Sequence, residues 1–70
     1  MNKNKLKAVM VLNNDTGVRL AEYLKISQTS LSRKINGDSE FTQNEILLIK
    51  KRYNLSPEEL DEIFFSSEVS

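Results

Sequence analysis

Between Leu20 and Gly37 the chain reads Leu20-Ala21-Glu22-Tyr23-Leu24-Lys25-Ile26-Ser27-Gln28-Thr29-Ser30-Leu31-Ser32-Arg33-Lys34-Ile35-Asn36-Gly37. Leu20, Ala21 and Leu24 share one face of a helix, and Leu31 and Ile35 share one face of another. Ser27 can cap the second of these helices, while Asn36-Gly37 supplies residues that tolerate positive φ at its end. The stretch therefore predicts two short amphipathic helices joined by a tight turn. A small residue at Ala21 lets them cross closely, Ile26 plugs the space between them, and Leu31 anchors the second from below. On a 100° wheel Gln28, Ser32, Asn36, Thr29 and Arg33 fall within one ~140° arc that excludes Leu31 and Ile35. That leaves a free polar face made of residues that hydrogen-bond base edges.

Working outward, Leu6, Val9 and Met10 recur at helical spacing within 3–13, and Asn13-Asn14-Asp15 is a turn signal that stops this helix. Thr16 can cap the helix that runs through Leu24. Downstream, Thr42-Gln43-Asn44-Glu45 and Ser56-Pro57-Glu58-Glu59 both match the capping box, with Pro57 at a favoured first-turn position. Phe41 and Leu55, just ahead of those caps, are placed to act as hydrophobic staples. Ile46, Ile49 and Tyr53 form an apolar stripe in the fourth helix, and Leu60, Ile63 and Phe64 form one in the fifth. The expectation is an all-α, compact five-helix domain covering 1–70, with helices at about 3–13, 16–24, 28–35, 42–53 and 56–65 and a frayed tail at 66–70.

Seventy residues make one domain, which buries only about 60% of the surface its unfolded chain exposes. Cysteine and histidine are both absent, so thiolate or imidazole metal sites, thiol nucleophiles and the usual neutral-pH general base are excluded. Acidic pairs such as Glu58 with Glu62 come with no nucleophile or ligand set, so no catalytic residues, metal or cofactor are expected and the chain does not read as an enzyme. The apolar runs Ala8 to Leu12 and Ile46 to Ile49 are far short of the ~20 residues that cross a membrane, and the expected location is the cytoplasm. The formal net charge is zero, yet residues 1–37 carry seven basic side chains against two acidic ones and the rest carries the opposite excess. Such a dipolar chain can offer a basic face to DNA and an acidic one elsewhere.

The stretch Leu31-Ser32-Arg33-Lys34-Ile35-Asn36-Gly37, followed by Phe41, resembles the phage repressor and Cro type (XRE-like) of helix-turn-helix family, in particular its short Cro-like members. That resemblance implies a lambda-repressor-like domain with the helix-turn-helix at the second and third helices, and a transcriptional regulator that acts by occupying double-stranded operator DNA. It implies that the helix from Gln28 enters the major groove, that Gln28, Thr29, Ser32 and Arg33 face bases, and that Ser27 and Asn36 lie near phosphates. The chemistry agrees: Gln pairs with adenine, Arg with guanine, Ser reads either, and the Thr methyl meets a thymine methyl. The helix starts at Thr16, Gln28 and Thr42 can offer N–H groups to phosphate, assisted by Lys34.

Several positions depart from the family pattern. Gly17 stands where a Gln is usual, and Lys25 occupies a turn position where Gly is usual. Lys34 takes a normally apolar place three residues after Leu31, so the third helix either rotates slightly or packs on the lysine stem. Asp38 and Glu40 would sit near the DNA backbone. With the neutral total charge and the acidic C-terminal half, they favour a rival reading: a modulator that binds another repressor protein. Read by residue type alone, the polar arc is also compatible with an ordinary solvated helix face. Phe65, with Val69, is a candidate dimer contact, the alternative being a rim residue of the core; reading useful operator length suggests a homodimer on DNA.

Overall fold

The computed structural model describes residues 1–65; the expected tail at 66–70, and with it the Val69 contact, lies outside them. The elements run α1 (Lys3–Leu12), α2 (Gly17–Leu24), α3 (Gln28–Asn36), α4 (Gln43–Tyr53) and α5 (Pro57–Leu60), which continues as a π-helical turn over Asp61–Phe65. Among the described residues there is no strand. The radius of gyration is 11.1 Å, matching the ~11 Å of a fully collapsed chain of this length.

Each helix starts where a side chain can satisfy an otherwise orphaned backbone donor. Asn2, Thr16, Ser27, Thr42 and Ser56 all stand in extended backbone, and each accepts a hydrogen bond from the N–H three residues on. At Thr42 and Ser56 the reciprocal half is also made, with Glu45 and Glu59 accepting from the cap N–H at 2.9 and 3.0 Å. A lost cap of this kind costs about 1 kcal/mol. Three helices end on a left-handed residue: α2 at Lys25, α3 at Gly37 and α4 at Asn54.

The core draws one fully buried side chain from each principal element. Leu6, Leu20, Leu31, Ile49 and Ile63 come from α1, α2, α3, α4 and the π turn respectively. Val9, Met10, Ala21, Leu24, Tyr53 and Leu55 complete the cluster. Burial of each large aliphatic side chain stabilises by roughly 1.5–3 kcal/mol. Ile46, expected to face inward, is only half-buried, and Glu45 beside it is buried instead. The cause is local: Glu45 closes the capping box and receives the Lys34 ammonium, so the start of α4 turns its carboxylate toward α3.

The last helix also differs from the uninterrupted α-helix expected over 56–65. After Leu60 it widens, leaving Ile63 fully buried, Phe64 half-buried and Phe65 exposed. Its Ile63 carbonyl accepts from the Asn2 N–H at 2.7 Å, and Glu62 pairs with Lys5 at 2.7 Å, so the π-helical turn is tied to the start of α1.

A second polar tie lies at the opposite end of α1. The Asp15 carboxylate accepts two bonds from the Arg52 guanidinium, at 2.8 and 2.9 Å, and a further one from the Tyr53 hydroxyl. Arg52 in turn lies over the Tyr23 ring, 4.7 Å from its centroid. The Arg52 hydrogen bonds hold Asp15 at a pKa of about 2, against the resistance of burial. Burial and the Asp15 carboxylate push the Tyr53 phenol above its usual value. Every buried side-chain nitrogen and oxygen among the described residues has a hydrogen-bond partner, which is what a small core requires to remain uniquely packed.

Candidate nucleic-acid interface

Helix α3 packs mainly against α2, and the three residues between them make a tight corner. Lys25 sits at φ 60, ψ 42, its N–H bonds the Glu22 carbonyl at 3.1 Å, and the Ile26 N–H reaches back to Ala21 at 3.0 Å. A side chain in this left-handed region costs on the order of 1 kcal/mol relative to glycine. Ile26 is half-buried against the core, Ala21 is buried at the crossing, and Leu31 fills the space beneath α3. A Cβ placed on Gly17 would meet the Leu31 Cδ2 at 3.9 Å, so α2 starts directly above the α3 anchor.

With Leu31 inward, the opposite side of α3 faces solvent. Gln28, Thr29, Ser32, Arg33 and Asn36 are all exposed. Among the described residues their side chains enter no hydrogen bond or ion pair, and no acidic side chain stands on this helix. The five together present amide, hydroxyl and guanidinium groups over about two turns. Such groups can read the donors and acceptors of base edges, or simply remain hydrated.

The groups expected near phosphates are disposed differently. Thr16, Ser27 and Thr42 are exposed caps whose oxygens accept from Arg19, Ser30 and Glu45 backbone N–H groups at 3.2, 3.0 and 3.1 Å. Accepting uses an oxygen lone pair and leaves the hydroxyl proton; Thr16 and Thr42 keep theirs to donate. Ser27 directs its proton to the Ser30 hydroxyl at 3.0 Å. Asn36 is exposed at the end of α3.

Lys34 has a partner inside the protein. Its ammonium lies 2.5 Å from the Glu45 Oε1, and the two side chains are 14% and 10% exposed. Phe41 flanks it, with its ring centroid 5.9 Å from the nitrogen. The lysine stem thus runs beneath α3 toward α4 rather than outward, which resolves the two alternatives open at this position in favour of packing. Burial alone would raise the Glu45 pKa, but the Lys34 and Thr42 hydrogen bonds outweigh it and leave the carboxyl below its ordinary value. The sequence marks Glu45 as a capping residue and gives no sign of this second bond, because Lys34 and Glu45 are brought together only by the fold.

Asp38 and Glu40 are exposed in the loop after Gly37, whose N–H and that of Asp38 close the α3 C-terminus on Lys34 and Arg33 carbonyls. Phe65 is 60% exposed at one side of a groove of about 480 Å³, lined also by Met1, Phe41, Ile46 and Phe64. Phe41 and Phe64 meet edge-on, 5.5 Å apart. Among the described residues no helix is long and apolar enough to cross a membrane. No group of three or more potential metal ligands is found among them either. No protein-family model matches this chain, and neither a curated protein nor a solved structure shows significant similarity to it.

Proposed function

We propose that this chain is a sequence-specific DNA-binding regulator of the phage repressor and Cro type, a lambda-repressor-like domain in which α2 and α3 form the helix-turn-helix. The observation that carries this reading is the unpaired, exposed polar edge of α3 on a helix held against α2 by a three-residue corner. In the corresponding pose α3 lies in the major groove, with Gln28, Thr29, Ser32 and Arg33 toward bases. Thr16, Ser27, Asn36 and Thr42 then face the flanking phosphates, where the helix N-termini add favourable partial charge. With no catalytic group in the scheme, regulation follows from occupancy of the operator in the cytoplasm. Two copies acting as a homodimer would read half-sites about 34–36 Å apart, with exposed Phe65 a candidate for their contact.

The test is selection of duplexes from a random pool, followed by a salt titration of the selected sequence. A DNA reader enriches a defined motif and loses affinity linearly in log salt, with a slope near −0.9 per phosphate neutralised. Failure to enrich any motif, together with a flat salt dependence, rejects the reading.

A second reading rests on Asp38 and Glu40, which stand exposed beside the C-terminal end of α3 and would repel a phosphate backbone at that edge. Under it the same face binds another repressor protein and alters its action. It predicts negligible duplex binding and a stoichiometric protein complex.

A further inference from the structure

We infer that Lys34 is a positioning residue, tied to Glu45 beneath α3 to fix the helix's rotation and hence its base preference, and is not one of the phosphate-binding cations. This rests on the DNA-binding reading of α3.

Three observations carry it. First, the Lys34 ammonium is committed inward, 2.5 Å from Glu45, while Arg33 next to it on the same turn is exposed. Successive helical residues project about 100° apart, so pinning Lys34 to α4 sets the direction in which Arg33 projects. Second, Glu45 is itself fixed from two sides. Its Oε1 accepts from the Thr42 N–H at 2.9 Å as well as from Lys34, so the bond transmits the position of a capped helix start rather than of a loose side chain. Third, α3 has few other restraints: Leu31 is its one fully buried side chain, Ile35 is only half-buried against the core, and its main packing partner is α2. Apolar contacts along one side of the helix resist translation but still tolerate a small roll about its own axis; a directional bond from Lys34, which lies between Leu31 and Ile35 in the chain, limits that roll. A buried ion pair is poor at adding net stability, since desolvation offsets its attraction, and its better-attested use is to specify register.

The experiment uses the paired variant K34M/E45Q. Methionine keeps the unbranched stem, and glutamine at the third helical position still closes a capping box, so neither a lone charge nor an open cap is left behind. The probes are a duplex selected by the wild-type chain and a scrambled duplex of equal length and composition, each titrated against salt. The expected result is an unchanged salt slope on both duplexes and a loss of preference for the selected one of about tenfold, comparable to one good base contact. Lys34→Arg, which keeps the charge and a donor toward Glu45, is expected to retain more of the preference than the paired variant. A slope shallower by about 0.9 in the paired variant, the signature of one lost phosphate contact, overturns the inference while leaving the DNA reading intact. So does an unchanged preference. Absence of salt-dependent duplex binding by the wild-type chain overturns the DNA reading and this inference with it. If the paired variant does not fold, Lys34→Gln, whose neutral amide can still donate to Glu45, is read in its place. An unchanged slope with a several-fold loss of preference supports positioning; an unchanged preference, or a slope shallower by about 0.9, overturns it.

Discussion

The frame made by α1, α4 and α5 and the α2–α3 pair obey local rules to different degrees. In the frame, two complete capping boxes start α4 and α5, and the Asp15 carboxylate is saturated by Arg52 and Tyr53. Acidic residues in the first turns of α4 and α5, and basic ones in the last turn of α4, also suit the helix dipole. In the α2–α3 pair a lysine holds a left-handed corner, a glycine begins α2, a second lysine is drawn inward, and α3 packs inward through buried Leu31 and half-buried Ile35. Departures from local consistency tend to collect where a surface is kept for another purpose. Both regions contribute to the apolar core, but the polar restraints concentrate in the frame, while the outer edge of α3 carries side chains without partners among the described residues.

The most severe way to break that division is to cut the frame's polar hub. Asp15→Ala should destabilise the fold by about 3 kcal/mol, because it strands a partly buried guanidinium and a phenol together. Total stability for a domain this small is of the order of 5 kcal/mol, so the urea midpoint should fall by more than half. The reference is Ser32→Ala, which alters an exposed side chain without internal partners and should change the unfolding free energy by no more than about 0.5 kcal/mol. Equal effects in the two variants would erase the distinction between the regions.

Acid probes the same hub without mutation. The folded-state pKa of Asp15 is lowered from 3.8 to about 2, so in this range the unfolded chain binds more protons than the folded one. Stability therefore rises with pH through this window. The contribution, about 2 kcal/mol at one pKa unit per 1.36 kcal/mol, is fully present above pH ~4 and lost as the pH falls toward 2. Glu45, also lowered, changes in the same direction. Urea midpoints measured between pH 2 and 6 should show this slope in the wild-type chain and a much flatter one in Asp15→Asn.

How far the sequence anticipated each region follows from the range of the interactions involved. Helix starts were legible because a cap and its target lie three residues apart; Thr16, Ser27, Thr42 and Ser56 each announce their own helix. The five-helix, strand-free architecture among the described residues follows from those signals and the apolar spacing. Asp15 was legible only as a turn residue, since its partners lie 37 and 38 positions away. Glu45 was legible as a cap, but its burial in preference to Ile46 depends on Lys34 arriving from another helix. The widened turn after Leu60 has no local signal in Asp61-Glu62-Ile63. At the α3 face the wheel located the polar arc, but whether Lys34 faced water or protein could not be decided from spacing, because its long stem can serve either arrangement.

The corner at Lys25 sharpens the comparison from the other side. Lys25 is exposed at φ 60, and Lys25→Gly removes the Cβ strain at a helix end where glycine is favoured, for a gain of about 1 kcal/mol in thermal or urea unfolding. A destabilised variant would mean that the lysine side chain makes a compensating contact and that the corner is not strained.

Gly17→Ala is the smallest and most local of these changes. Gly17 is the first residue of α2, its φ lies outside the left-handed region, and an added Cβ would rest at an ordinary 3.9 Å from Leu31. Alanine restricts the unfolded chain without straining the folded one, which should stabilise by about 0.5 kcal/mol. The new methyl also rests on Leu31, the fully buried side chain of α3, so any mismatch there would be felt directly by the α2–α3 pair. A gain shows that the start of α2 accepts a side chain without disturbing Leu31. A loss of similar size would instead mean that the Leu31 side chain is already tightly confined, and that the start of α2 needs glycine for packing rather than tolerating it.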